Sequence, residues 1–246
     1  MFDGKFLSAI ITSAGSGRRM NSDINKPFLN IDDKKIIERT LETVTGIEEF
    51  DEIILVIRKE DEDIIKSILK NDIFSNKVRY VFGSSTRELS TFEGLKALNK
   101  KSQLVLTHDG VRPFASRELF YKTLEELKNY KAVITATKTK DTVKILDDNM
   151  LVDFTPNRAF VYNVQTPQAF DKKTIFTMYE KYIDSEFKIT DDSQLFEFFD
   201  RETPVKVVEG EYSNIKITTN EDILFARAYI KSRKENEEIN ENRHRL

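Results

Sequence analysis

The chain has 246 residues, 39% hydrophobic and 33% charged, which suits one large α/β domain or one domain with a small appendage rather than two equal domains. Lys and Arg number 39 against 42 Asp and Glu, so the net charge of −3 provides no global basic field for nucleic acid, and any anion site must be local. With no cysteine and only two histidines, disulfides, Cys/His zinc sites and thiol nucleophiles are excluded, and a metal would fall to carboxylates.

In chain order, Met1–Ile11 carries Asp3, lacks a basic opening and has no small-residue cleavage site; no apolar run approaches the roughly 18 residues of a membrane span. No membrane partner is expected, and the cytoplasm is the expected location. Leu7–Ile11 reads as a buried strand that breaks into Ser13-Ala14-Gly15-Ser16-Gly17, followed by Arg18, Arg19 and Lys26. Glycines let backbone N–H groups approach an anion, and guanidinium and ammonium groups neutralise it, so this stretch is a phosphate site by composition. Met20 at the third glycine position, and the lack of an acidic residue ending a second strand at the right distance, weigh against a dinucleotide fingerprint and so against an NAD-dependent oxidoreductase, the weaker alternative; the ending that a P-loop requires is absent.

Lys34–Val44 predicts a helix burying Ile36, Ile37, Leu41 and Val44, and Ile53–Ile57 a second buried strand, which is βαβ grammar. Glu60–Leu69 follows as a helix with an acidic first turn, and Val78–Phe82 as the third strand. That strand ends in Gly83-Ser84-Ser85-Thr86-Arg87, a second small-residue loop, before a helix carrying Leu89, Phe92, Leu95 and Leu98. Two such loops imply one crevice, since open α/β sheets bind ligands outside the carboxyl ends of their strands. Leu104–Thr107 is the next strand and delivers His108-Asp109-Gly110-Val111-Arg112-Pro113 to the same side. Asp109 suits a Mg²⁺ ligand beside a nucleoside triphosphate, with capping of the following turn as the alternative. His108 reads as a packed histidine hydrogen-bonded to backbone.

Ser116–Asn129 predicts a helix and Ala132–Thr137 a strand. Val143–Leu146, the turn Asp147-Asp148-Asn149 and Leu151–Phe154 form a hairpin pattern outside the βα alternation, an arm that needs packing against something to be stable. Thr155–Phe170 brings the chain back. Lys172–Ile183 and Asp191–Phe199 read as helices, Val205–Glu209 and Ile215–Thr218 as strands, Asn220–Ile230 as the last helix, and Lys231–Leu246 as a frayed, solvated extension of it. The expected organisation is one domain over residues 1–230, with 139–160 as a β-arm and 231–246 as a charged tail.

Taken together, SAGSGRRM, Lys26, the Arg87-x-x-Ser90 pair with Gly94-Leu95, THDGVRPF, Asp141-Thr142-Val143-Lys144, TPNR, VQTPQAF, Thr190-Asp191-Asp192 and NIKITTNEDI resemble one family. It is the family of cytidylyltransferases that make 4-diphosphocytidyl-2-C-methyl-D-erythritol from CTP and 2-C-methyl-D-erythritol 4-phosphate. The resemblance runs from Ala9 to about Ala226, and its first segment matches the G-x-G-x-R-M loop of nucleotidyltransferases more widely. The relatives that make CDP-ribitol from D-ribitol 5-phosphate share most of these segments. SAGSGRRM, KTKDTVKI and TDDSQLFE lean to the methylerythritol enzyme, whereas THDGVRPF and GEYSNIKITT are at home in either. The resemblance implies a Rossmann-like nucleotidyltransferase sheet with helices on both faces, a protruding β-hairpin dimerisation arm and a homodimer. It also implies CTP and a polyol phosphate as substrates, with Mg²⁺ as cofactor.

Residue by residue, the resemblance implies that Ser13, Ala14 and Gly15 hold base and ribose through backbone, with Gly17 in the same nucleotide loop. Arg19 and Lys26 would meet the triphosphate, and Gly83, Ser84, Ser85 and Ser90 would line the cytosine and ribose side. Asp109 would bind Mg²⁺. Arg112, Thr142, Arg158, Thr166, Thr190 and Lys216 would handle the sugar phosphate, Lys216 also lying near the reacting phosphorus, so that Arg19, Lys26 and Lys216 are the expected catalytic cations. Ser13 stands where the family usually has Ala, Ser84 where it usually has a second Gly, and Pro27 where Gln commonly follows the lysine. A phosphate monoester, with a second pKa of about 6, is mostly dianionic at neutral pH and can attack the α-phosphorus without a general base. The competing reading is a protein that binds CTP without turnover, against which the two lysines flanking the α-phosphate argue.

Overall fold

The computed structural model describes residues 1–15, 25–75 and 77–244. In chain order its elements are β1 (Phe6–Thr12), β2 (Asn30–Ile31), β3 (Lys34–Lys35), α1 (Ile36–Thr45), β4 (Glu52–Ile57), α2 (Glu62–Ile68), α3 (Asp72–Ser75), β5 (Val78–Phe82), α4 (Arg87–Ala97) and β6 (Ser102–Asp109). There follow α5 (Arg117–Leu127), β7 (Ala132–Lys138), β8 (Ile145–Leu146), β9 (Val152–Phe154), β10 (Tyr162–Asp171), α6 (Lys172–Ile183), α7 (Gln194–Phe199), β11 (Val205–Glu209) and α8 (Asn220–His244).

The central strands are apolar on both faces, and each face is buried under helices, which is why they read as unbroken apolar runs. Leu7, Ala9 and Ile11 of β1 pack with Leu55 of β4, with Ile37, Leu41 and Val44 of α1 and with Leu119, Phe120 and Leu124 of α5. Their neighbours Ile10, Ile54, Val56 and Val105 point the other way, onto Phe92 and Leu95 of α4, Ile175, Met178 and Tyr179 of α6, and Phe196 of α7. A smaller cluster of Ile31, Ile36, Phe114, Ile217, Ala226 and Ile230 seats the start of α8. No helix among the described residues is long and apolar enough to cross a membrane.

Seven strands form one sheet in the order β11-β7-β10-β6-β1-β4-β5. Neighbours pair in parallel except β10, which is antiparallel to both β6 and β7. The chain leaves β1 for β4 on one side and later returns to β6 on the other, so the crevice of an open α/β sheet falls at the carboxyl ends of β1 and β6. Register sets Thr12 opposite Asp109 there.

The hairpin exists, with β8 and β9 paired antiparallel outside the main sheet. The C-terminal extension continues α8 without a break through His244. Four points differ from the expectations. Lys34 and Lys35 pair with Asn30 and Ile31 instead of opening α1, and α7 starts at Gln194, because Asp191 turns the chain by accepting from the Ser193 N–H at 2.8 Å. Ile215–Thr218 is not a strand: its one ladder-like bond runs from Ile217 N–H to the Val111 carbonyl, Ile215 N–H turns back to the Ser213 carbonyl, and Thr218 is held by the Lys26 and Asp222 side chains. Finally, the returning segment contains a full strand, β10, in the middle of the sheet.

Candidate active site

The loop after β1 begins with Ser13 and Ala14, the Ser13 N–H donating to the Val56 carbonyl at 2.8 Å. Gly17 and Arg19 lie outside the described residues. The chain re-enters at Asn25, whose Nδ2 donates to Asp61 at 2.9 Å; Arg58 grips the same carboxylate with two bonds of 2.7 Å. A short 3₁₀ turn, Lys26–Phe28, follows, its entry favoured by the fixed φ of Pro27. Lys26 is buried, and its Nζ donates to the Thr218 carbonyl at 2.6 Å.

Gly83 is required by close approach: a Cβ there would lie 2.5 Å from Ala14 Cβ and 2.7 Å from Ser90 Oγ. The Ser90 hydroxyl accepts from the Ser84 N–H at 3.0 Å and donates to the Thr86 carbonyl at 2.6 Å, pinning the loop shut. Thr86 caps α4 by accepting from Leu89 N–H. Ser84 and Ser85 stay on the exposed rim.

At the end of β6, the Asp109 carboxylate is buried among cations. Its Oδ2 lies 3.1 Å from Arg112 Nε and 3.1 Å from Lys216 Nζ, and its Oδ1 faces Arg87 Nε at 3.7 Å. Burial alone would raise its pKa, but Lys216, Arg87 and Arg112 outweigh that and hold the carboxyl well below the usual range. The Asp109 N–H donates to Thr166 Oγ1 at 3.0 Å, and that hydroxyl lies 2.9 Å from His108 Nδ1. The other ring nitrogen, Nε2, sits 3.2 Å from the Arg112 carbonyl, so Nε2 carries the proton and Nδ1 accepts from Thr166. Burial pushes the imidazole down to about 4, leaving it neutral near pH 7. It is the packed histidine that the sequence suggests.

The 214–218 segment is strapped in place around these groups. Arg112 Nη1 donates to the Asn214 carbonyl at 2.8 Å, Asn214 Nδ2 donates to the Thr166 carbonyl at 2.8 Å, and Asp222 accepts from the Thr218 N–H at 2.7 Å. Lys216, 39% exposed at its side chain, is thereby presented to the crevice.

The crevice is a cleft of about 600 Å³ whose lining includes Ser13, Ala14, Gly15, Lys26, Ser90, Asp109, Thr190 and Lys216. A second cavity of about 240 Å³ adjoins it, shares Arg87, Asp109, Thr190 and Lys216, and adds Arg112 and Thr166. Most of the expected site thus comes together within one chain, while Thr142 and Arg158 remain on the exposed arm, where Arg158 Nη1 donates to the Lys140 carbonyl at 3.1 Å. Arg87 and Asp192, to which sequence reasoning gives no role, form an ion pair at 2.8 Å beside Asp109. The only signal for them is their place in the R-x-x-S and TDD segments.

Chemically, Lys216, Arg87 and Arg112 gather on the deep Asp109 carboxylate in a cleft that Lys26 also lines, an arrangement that suits several phosphate groups at once. Among the described residues no group of three or more His, Cys, Asp or Glu could hold a metal ion unaided. A Mg²⁺ would need oxygens from a bound triphosphate and water beside Asp109, which is how this ion is usually held. Asp109 Oδ1, with Arg87 beyond hydrogen-bond reach, fits that use.

Comparison with known proteins agrees with this geometry. The family model for 2-C-methyl-D-erythritol 4-phosphate cytidylyltransferase matches residues 7–232. The enzyme of that name from Clostridioides difficile is 37% identical over 230 residues, 94% of this chain and 96% of its own length. Its counterpart from Clostridium tetani is 39% identical over 223 residues, 91% of this chain and 89% of the other. Among solved structures, the 4-diphosphocytidyl-2C-methyl-D-erythritol synthase of Anaerococcus prevotii is 67% identical with a TM-score of 0.86, covering 93% of this chain and all of the other.

Proposed function

The chain belongs to the 2-C-methyl-D-erythritol 4-phosphate cytidylyltransferase family, and on that premise we propose how its residues divide the work of the reaction. The enzyme transfers CMP from CTP to 2-C-methyl-D-erythritol 4-phosphate and releases pyrophosphate, a step of isoprenoid precursor synthesis. A phosphate oxygen of the acceptor forms a bond to the α-phosphorus, and the bond between the α-phosphorus and the bridging oxygen of the leaving pyrophosphate breaks. The observation that carries the assignment of roles is the clustering of Lys216, Arg112 and Arg87 on Asp109, in a cleft that Lys26 also lines.

Lys26 neutralises the triphosphate, with Arg19 assigned alongside it. Lys216 and Arg112 face the smaller cavity and draw in the acceptor phosphate, while Thr166 and Thr190 line its walls. The loops at Ser13–Gly15 and Gly83–Ser90 take the nucleoside. Bound through Asp109, Mg²⁺ would supply further neutralisation of charge on the phosphoryl oxygens. His108 is neutral, with both nitrogens engaged, and needs no part in proton transfer because the nucleophile arrives ionised. The cytoplasm, where CTP is made, is the location that fits these substrates.

The arm belongs to the same reading. Ile145, Leu146, Leu151, Val152 and Phe154 are exposed on a two-stranded ribbon, and Phe160 at its base is 82% exposed. An apolar ribbon of this size calls for a partner, and a second copy of the chain would place Thr142 and Arg158 at the neighbouring sugar-phosphate pocket. Mixing inactive Lys26→Ala with inactive Arg158→Ala protein should restore activity through hybrid dimers that contain one intact site. No recovery after demonstrated subunit exchange, or a monomer by light scattering, would count against the arm's role.

A further inference from the structure

Arg87 opens α4 and lies on the wall common to the two cavities. Its Nη1 donates to Asp192 Oδ1 at 2.8 Å, and its Nη2 reaches Asp192 Oδ2 at 3.5 Å. Its Nε is the group that faces Asp109. Asp192 is fully buried and also accepts from the Tyr179 hydroxyl and from Thr107 Oγ1, each at 2.7 Å. A carboxylate fixed by this many partners fixes in turn the plane of the guanidinium that it grips. Burial alone would lower the Arg87 pKa, but Asp192 and Asp109 raise it, so a permanent cation stands between two carboxylates.

The pair joins parts of the site that are far apart in sequence. Asp192 lies two residues beyond Thr190, which lines both cavities, so the anchor of Arg87 also sets where Thr190 stands. On its own helix, Arg87 lies three residues before Ser90, whose hydroxyl closes the nucleotide-side loop. One side chain, carried on the helix that closes the nucleotide-side loop, therefore joins the deep carboxylate to the acceptor loop.

We propose that Arg87 is a positioning residue of the transfer reaction, clamped by Asp192 so that its guanidinium holds the Thr190 loop in place for the acceptor phosphate while its charge faces Asp109 at ion-pair distance. This rests on the assignment of the cleft as the active site. A lysine at this position would keep the charge and lose the planar fork, so it would serve only in part.

The test is steady-state kinetics on Arg87→Gln, Arg87→Lys and Asp192→Asn, with Lys26→Ala as reference and melting temperatures recorded for each. Arg87→Gln should raise KM for the polyol phosphate about tenfold or more, the usual scale for losing a supporting partner, with KM for CTP changed less than about twofold. Arg87→Lys should fall between wild type and Arg87→Gln, and Asp192→Asn should repeat the shift with Arg87 still present. A lowered melting temperature with both KM values unchanged, or an equal rise in both, would overturn the proposal. Wild-type constants in the Arg87 variants beside an inactive Lys26→Ala would reject the positioning role alone. Wild-type turnover in Lys26→Ala would remove the cleft as the active site, and the proposal with it.

Discussion

Lys26 Nζ donates to the Thr218 carbonyl at 2.6 Å, a bond across 192 residues that closes the cleft between the phosphate loop and the segment presenting Lys216. Both lysines line the same cleft, and the proposed transfer assigns them to the charge that gathers on the phosphoryl oxygens. Lys26→Ala should lower kcat/KM by roughly a hundredfold or more, the scale of about 2.7–4 kcal/mol for one preorganised donor. The fold should survive, as read by circular dichroism. Wild-type turnover in the folded variant would remove Lys26 from catalysis.

The Ser13 hydroxyl occupies space that a side chain at Gly110 would claim. A Cβ on Gly110 would collide with Ser13 Oγ and come within 3.0 Å of Ile37 Cδ1 and 3.1 Å of the Thr12 carbonyl. Gly110→Ala should therefore cost about 1–3 kcal/mol, the usual scale of overpacking. Ser13 Oγ is buried with no hydrogen-bond partner among the described residues, so adding Ser13→Ala loses no bond and should recover part of that cost. Denaturant midpoints decide it, and equal losses in the single and double variants would contradict the account.

Asp109→Asn should raise the Mg²⁺ concentration for half-maximal rate more than it raises KM for CTP, because coordination needs the negative charge and base recognition does not. Titrating rate against Mg²⁺ at fixed CTP measures this. An unchanged metal requirement would return Asp109 to a purely structural part among its three cations.

His108 ties stability to pH. An unfolded imidazole titrates near 6.5, and the buried one near about 4, so between these values the unfolded chain carries more protons and stability rises with pH. This contribution is fully present above about pH 6.5 and is lost as the pH falls towards 4. Protonation would also remove the acceptor that takes the Thr166 hydroxyl, disturbing the support of the Asp109 N–H. His108→Asn should flatten the rise in unfolding free energy between pH 4 and 6.5. An unchanged slope would show that other groups carry it.

Much of this was legible in the sequence, and the exceptions have a common cause. Val78–Phe82, Lys172–Ile183 and Val205–Glu209 match β5, α6 and β11 residue for residue, because local periodicity and boundary residues determine them. β10 was hidden: it is central and antiparallel, contains Gln165, Pro167 and Gln168, and shifts register between the two glutamines. Its burial comes from neighbours on either side and not from its own composition. The same holds at the site. Ser13, Lys26, Asp109 and Lys216 sit in motifs and could be named, whereas the grip of Asp192 on Arg87 spans 105 residues and has no local signature. Ile215–Thr218 shows an apolar pattern suited to a strand, yet its hydrogen bonds go to Val111, Lys26 and Asp222 because its task is to present Lys216.

The central claim is the reaction itself, and the choice of acceptor tests it most sharply. Arg112 and Lys216 can bind the phosphate of any polyol phosphate, so discrimination must come from the carbon chain, where a pocket built for particular hydroxyls rejects a mismatched partner strongly. Pyrophosphate release with CTP should be measured for 2-C-methyl-D-erythritol 4-phosphate and for D-ribitol 5-phosphate in parallel. The account predicts a clearly higher kcat/KM for the methylerythritol substrate; a clear preference for ribitol 5-phosphate, or no pyrophosphate with either acceptor, would contradict it.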